Sequence, residues 1–138
     1  MTTKLYQIEE KINKIKHYLN ILFQLQKYSL EQITKNVILK GAVERYLYLA
    51  TDSVISLIEM VISFKSLQKP MYYSDSVDIL SENGIINNAQ QKLLHKIIGF
   101  RNIMAHDYEK VDYQIVYSIL QNNLTDISEF CDYIIKKL

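Results

Sequence analysis

The stretch KIIGFRNIMAHDYEKVDY brings Arg101, Asn102, His106 and Tyr108 together over two helical turns' worth of chain. Each of these types has a chemistry. An arginine fork grips phosphate through paired hydrogen bonds of fixed charge. A histidine trades protons near neutral pH. An asparagine can orient a neighbour or bond a ligand, and a tyrosine just past a helix end can expose its hydroxyl. Spacing alone does not join them, so the elements that carry them have to be read first.

On a helical wheel, Leu93, Leu94, Ile97, Ile98, Phe100, Met104 and Ala105 fill one apolar arc, with Lys92, His95, Lys96, Gly99 and Asn102 outside it. Arg101 falls in the middle of the arc. An unpaired guanidinium there costs several kcal/mol. It must pair with a carboxylate of a neighbouring helix (Glu44, Asp52 or Glu59), reach past the bundle edge, or face a polar cleft that receives a phosphate. If the helix continues, His106 lies about 140° around the axis from Arg101. Either the helix stops at Ala105 and the chain turns His106 back, or a second protomer completes the site.

The rest of the chain predicts an antiparallel bundle. Ile8, Ile12, Ile15, Leu19 and Leu22 mark one amphipathic helix from Leu5 to about Tyr28, with His17 on its solvent side. Val43, Leu47, Ala50, Val54, Leu57 and Val61 mark a second, from about Ile33 to Phe64, broken by Lys69-Pro70. A short helix capped at Ser74 or Ser76 stops at Asn83-Gly84. A fourth starts at Asn87 or Asn88, and a fifth, capped by Asp112, carries Leu120, Ile127, Phe130, Ile134 and Leu138. The expected fold is all-α: four main helices and a short one, in a single domain over residues 1–138.

Composition narrows the function classes. The 138 residues include only three Gly and one Pro, and 49% are hydrophobic, which suits long helices. A net charge of +1 lacks the field of a nucleic-acid coat. Only Arg45 and Arg101 among 16 basic residues are arginines. One cysteine, Cys131, excludes an internal disulfide and a Cys-based zinc cage; it reads as a small buried hydrophobe in a reducing compartment. The N-terminus lacks a signal-peptide core and no apolar run approaches a membrane span, so the expectation is a cytoplasmic protein with no membrane partner.

GFRNIMAHDY, preceded by SDSVDILSENGII and AVERYLYLATDSVISLIEMVI, resembles the HepT family of HEPN-domain toxins over most of the chain. The family hallmark, Arg, four residues, His, one residue, Tyr, often with Asn after the Arg, is met by Arg101, Asn102, His106 and Tyr108. The resemblance implies a HEPN fold, a homodimer with the motif at its interface, and a metal-independent endoribonuclease that needs no cofactor. It also implies an MNT-type nucleotidyltransferase antitoxin that moves AMP from ATP to Tyr108.

Under that reading His106 is general base or acid toward the ribose 2′-OH or the departing 5′-oxygen, and cyclic-phosphate ends result. Arg101 stabilises the phosphoryl charge, and Asn102 supports His106 or the RNA. An AMP on Tyr108 would place bulk and negative charge beside Arg101. Tyr46, Tyr48, Tyr72, Tyr73 and Tyr117 read as packing or rim residues, and His95 as exposed. Two rivals stay open: a non-catalytic, nucleotide-binding or interaction subunit that partners a nucleotidyltransferase, and a plain oligomerisation bundle with Arg101 in a core ion pair.

Overall fold

The first long helix, α1 (Leu5–Leu25), buries the stripe Ile8, Ile12, Ile15, Leu19 and Leu22 read from its spacing. It belongs to a computed structural model that describes residues 3–138. The described residues form seven α-helices and one 3₁₀ turn: α2 (Leu30–Lys35), α3 (Val37–Phe64), α4 (Tyr73–Glu82), α5 (Asn88–His106), the turn Tyr108–Lys110, α6 (Tyr113–Asn122) and α7 (Leu124–Lys136).

The all-α class stands, and the count of four helices plus one is corrected at two asparagines. The expected second helix begins as a separate turn of helix, α2, capped by Ser29. The chain then leaves helical geometry at Asn36, whose Oδ1 accepts from the Leu39 N–H and starts α3 anew. The expected fifth helix splits into α6 and α7 at Asn123, which sits at φ −112° and ψ −6° and is joined by the Asn123 N–H to the Ile119 carbonyl. The cap at Asp112 holds, its Oδ1 accepting from the Gln114 N–H. The expected cap of α4 at Ser74 or Ser76 gives way to Tyr72, whose backbone N–H is bonded by the Asp75 carboxylate. Gly84 ends that helix at φ +69°, a left-handed conformation that glycine adopts at no steric cost.

Cross-helix contacts fix the directions. Thr3 meets Ser63 and Tyr18 faces Tyr46, so α1 and α3 run antiparallel. Lys16 pairs with Asp132 on α7 while Gln26 meets Leu120 on α6, so the α6–α7 stretch runs antiparallel to α1. Asp52 meets Arg101 and Glu44 meets Tyr108, so α5 runs back along α3. Contacts of Asp78 with His95 and of Ser81 with Gln91 place α4 antiparallel to α5.

Among the described helices α3 alone is long and apolar enough to cross a membrane, where the sequence reading saw no such run. Its apolar side is buried: Val43, Leu47, Ala50, Val54, Leu57, Ile58 and Val61 are each 0% exposed within the single apolar core. Cys131 is buried there too, its thiol pushed up to about 12 by desolvation. His17 is exposed as expected. His95 is not: it is half-buried, with Nε2 2.8 Å from Asp78 Oδ1.

Candidate active site at the end of helix α5

Helix α5 buries Leu94, Ile97, Ile98 and Phe100 against the core, and the same flank carries Arg101 toward α3. The guanidinium finds a carboxylate there. Arg101 Nε donates to Asp52 Oδ1 at 3.0 Å, Nη2 lies 3.0 Å from the same oxygen, and Nη1 donates to Asn102 Oδ1 at 3.1 Å. The ring of Tyr73 stacks against it, 5.2 Å from centroid to guanidinium carbon. Of the alternatives open in the sequence, the ion pair with Asp52 is the one realised.

The pair is not sealed in the interior. The Arg101 side chain is 13% exposed and that of Asp52 39%. A guanidinium has five N–H donors and these contacts engage at most three, so donors remain for an incoming oxyanion. Glu59, two further turns along α3, is exposed as a residue, yet partial burial of its carboxyl raises its pKa; Arg101 pulls the other way and Asp52 adds to the rise.

His106 is the last residue of α5, and the Asp107 N–H bonds the Ile103 carbonyl, so the helix does not stop at Ala105 to turn His106 back. It is exposed and lines a groove of about 440 Å³ with Tyr72, Tyr73, Asn102, Ile103 and Asp107. Asn102 lies one turn before His106 on the same face. Arg101 stands behind this groove, held by Asn102 and Tyr73, which both line it. Tyr72 (69% exposed) and Ile103 (38%) put an apolar rim on the groove, and Met71 (85%) is exposed next to Tyr72 in the chain.

Tyr108 goes elsewhere. The 3₁₀ turn after Asp107 folds it over α3, where its hydroxyl donates to Glu44 Oε1 at 2.5 Å. This hydrogen bond, together with some desolvation and the carboxylate's charge, raises the phenol's pKa above its ordinary value. Tyr108 lines a second groove, about 410 Å³, with Gly41, Glu44, Arg45, Tyr48 and Met104. No residue lines both grooves. The structure therefore brings Asn102 and His106 into one groove, which Arg101 reaches only through Asn102 and Tyr73. Tyr108 sits in the other groove, and although it faces α3 as Arg101 does, its partner Glu44 lies two turns from Asp52, so it is not beside Arg101 within one chain as the sequence suggested. Glu44 and Arg45 are the residues that sequence reasoning missed here; Glu44 was considered only as a partner for Arg101. A slightly larger cleft between α5 and α7, about 470 Å³, is walled by opposed charges such as Lys92 and Glu129 and holds none of the motif residues.

A small antiparallel helical bundle with a His at the end of one helix and an arginine paired to the neighbouring helix behind it is the class of protein that fold and site define. More particularly, the chain belongs to the HepT-like ribonuclease family, whose model matches residues 8–134. It is 28% identical over 103 residues to the mRNA nuclease HepT of Shewanella oneidensis, spanning 75% of this chain and 77% of that one. Its fold superposes at a TM-score of 0.82 on a tri-AMPylated HEPN toxin of Shewanella oneidensis in complex with MNT antitoxin, 28% identical, covering 92% of this chain and 95% of that one. A toxin-antitoxin crystal structure with AMP-PNP matches at 0.83 and 27% identity, covering 92% and 96%. A cytosolic protein from Bacillus subtilis, YutE, shares the fold at 0.81 with 21% identity, covering 97% and 90%.

Proposed function

We propose that this chain is the toxin of a HEPN/MNT toxin-antitoxin pair: a single-domain, cytoplasmic, metal-independent endoribonuclease that works as a homodimer and is silenced by AMP transfer to Tyr108. The relatives' names support the class, one being an mRNA nuclease and another an AMPylated toxin bound to its antitoxin partner type. The observation that carries the mechanism is that α5 runs through His106 while Arg101 is fixed to Asp52 behind the groove.

Cleavage by transesterification at phosphorus needs a base for the 2′-OH proton, an acid for the departing 5′-oxygen, and positive charge on the phosphoryl oxygens. One chain offers one histidine here. Two chains joined across the exposed Tyr72 and Ile103 rim and the neighbouring Met71 would supply two, one as base and one as acid, with Arg101 holding charge on the phosphate through its remaining N–H donors. Asn102 links the two roles, since it bonds Arg101 and shares the groove with His106.

The Asp52 pair also favours a second reading: a non-catalytic subunit whose Arg101 is satisfied structurally and whose surface serves a nucleotidyltransferase. RNA incubated with purified protein in the presence of a chelator separates the two. The toxin reading expects fragments with cyclic-phosphate ends, lost in His106→Ala and Arg101→Ala variants that remain helical; no cleavage by the wild type, or undiminished cleavage by the variants, selects the second reading.

A further inference from the structure

The Tyr108 groove contains a carboxylate that the fold does not consume. Glu44 is half-buried on α3. It is one of three carboxylates that could have neutralised Arg101, and Asp52, two turns further along the helix, takes that role instead. The Tyr108 hydroxyl donates to one oxygen of Glu44, and the other, Oε2, is buried without a hydrogen-bond partner among the described residues. A buried carboxylate oxygen left bare is a cost to folding that native proteins rarely carry without a use.

We propose that Glu44 is the catalytic proton acceptor that activates Tyr108 for nucleotidyl transfer, so that the chain supplies the base for its own modification. The inference rests on the reading of Tyr108 as the acceptor. The phenolic oxygen attacks the α-phosphorus of a nucleoside triphosphate carried in by a nucleotidyltransferase. An Oη–Pα bond forms, the bond from Pα to the bridging oxygen breaks, and pyrophosphate leaves with the electron pair. The phenolic proton passes to Glu44 Oε1 and from there to water.

The geometry suits that step. An O–H···O contact of 2.5 Å already lies along the path of proton transfer. At neutral pH a tyrosine is almost wholly protonated and a poor nucleophile, and its raised pKa deepens the need for a base. The groups that face Glu44 suit an anionic visitor. From α3 come Arg45 and Tyr48, from the 3₁₀ turn Tyr108, and from α5 only the uncharged Met104 and Ala105. Arg45, exposed on the same wall, is a fixed positive charge for the triphosphate and is used in no ion pair among the described residues.

The test is the rate at which the AMP adduct appears on Tyr108, followed by intact and peptide mass spectrometry with the cognate nucleotidyltransferase and ATP, for wild type, Glu44→Gln and Glu44→Asp from pH 6 to 10. Far-UV circular dichroism and thermal melting control for folding. The expected result is a loss of roughly 10²-fold in Glu44→Gln at pH 7, partial recovery in Glu44→Asp, and a gap between wild type and Glu44→Gln that closes as alkali deprotonates the phenol. A Glu44→Gln rate equal to wild type, or lowered by the same factor at every pH, overturns the inference while leaving Tyr108 as acceptor. Absence of any adduct on wild-type Tyr108 overturns both.

Discussion

The two grooves beside the end of α5 share a helix and differ in how their charges are committed. On the His106 side the cation is spoken for: Arg101 is clasped by Asp52 and Asn102 and covered by Tyr73, and the group left without a bonded partner is the imidazole at the rim. On the Tyr108 side the anion is only half engaged, with one Glu44 oxygen on the hydroxyl and the other bare. A charge paired during folding has its orientation fixed in advance and serves to position. A charge or proton-transfer group left unpaired is the one available to react.

The largest effects should dissociate the grooves. His106→Ala is expected to lower RNA cleavage by 10² to 10⁴-fold or more while AMP transfer to Tyr108 proceeds, and Tyr108→Phe to abolish the adduct while cleavage continues. Gel-based RNA degradation and mass spectrometry on the same preparations read both. If either substitution removes both activities, the grooves are not separate.

Asp52→Asn tests whether the clasp on Arg101 is positional. Cleavage should fall by roughly tenfold to a hundredfold, with a stability loss of only about 1 kcal/mol by chemical denaturation, because the pair is part-exposed and water screens it. Faster cleavage in this variant would mean that Asp52 restrains Arg101. Tyr73→Ala removes the stacked ring at the groove wall, and the expected cost is about 0.5–1 kcal/mol, seen as a modest weakening of RNA binding by fluorescence anisotropy.

The smallest expected effect is spectroscopic. The bond from Tyr108 to Glu44 favours the neutral phenol, so its contribution to stability is fully present below the ordinary tyrosine value near 10 and is lost as pH rises through the higher folded value. Phenolate absorbance in wild type should therefore include one tyrosine that ionises later than its counterpart in Glu44→Gln, with Tyr108→Phe as the assignment control.

Much of this was legible in the sequence because burial follows helical periodicity. The stripe of α1 is buried as spaced, and Arg101's discomfort on an apolar flank led to three candidate carboxylates, of which one holds it. The breaks at Asn36 and Asn123 were hidden for the same reason. Around Asn123, Leu120, Leu124 and Ile127 keep their apolar spacing and all are buried, so a period read along the chain passes through that asparagine without a signal; around Asn36, Ile33 is buried and Val37 and Ile38 are apolar but exposed, so hydrophobicity continues where burial does not. The parting of His106 from Tyr108 depends on a single 3₁₀ turn, and a turn that short has no periodicity to read. Glu44 was visible as a carboxylate near α5, but its choice of Tyr108 over Arg101 is a matter of register between α3 and α5, which only packing sets.

The turn that carries Tyr108 contains no buried residue. A group attached to that hydroxyl takes the place of the proton that bonds Glu44, so the modification would untie the turn from α3 while leaving the apolar core packed as it is. The substituted chain would then differ from the unsubstituted one in local opening of this turn rather than in global unfolding, a difference that hydrogen exchange reads and a melting curve does not.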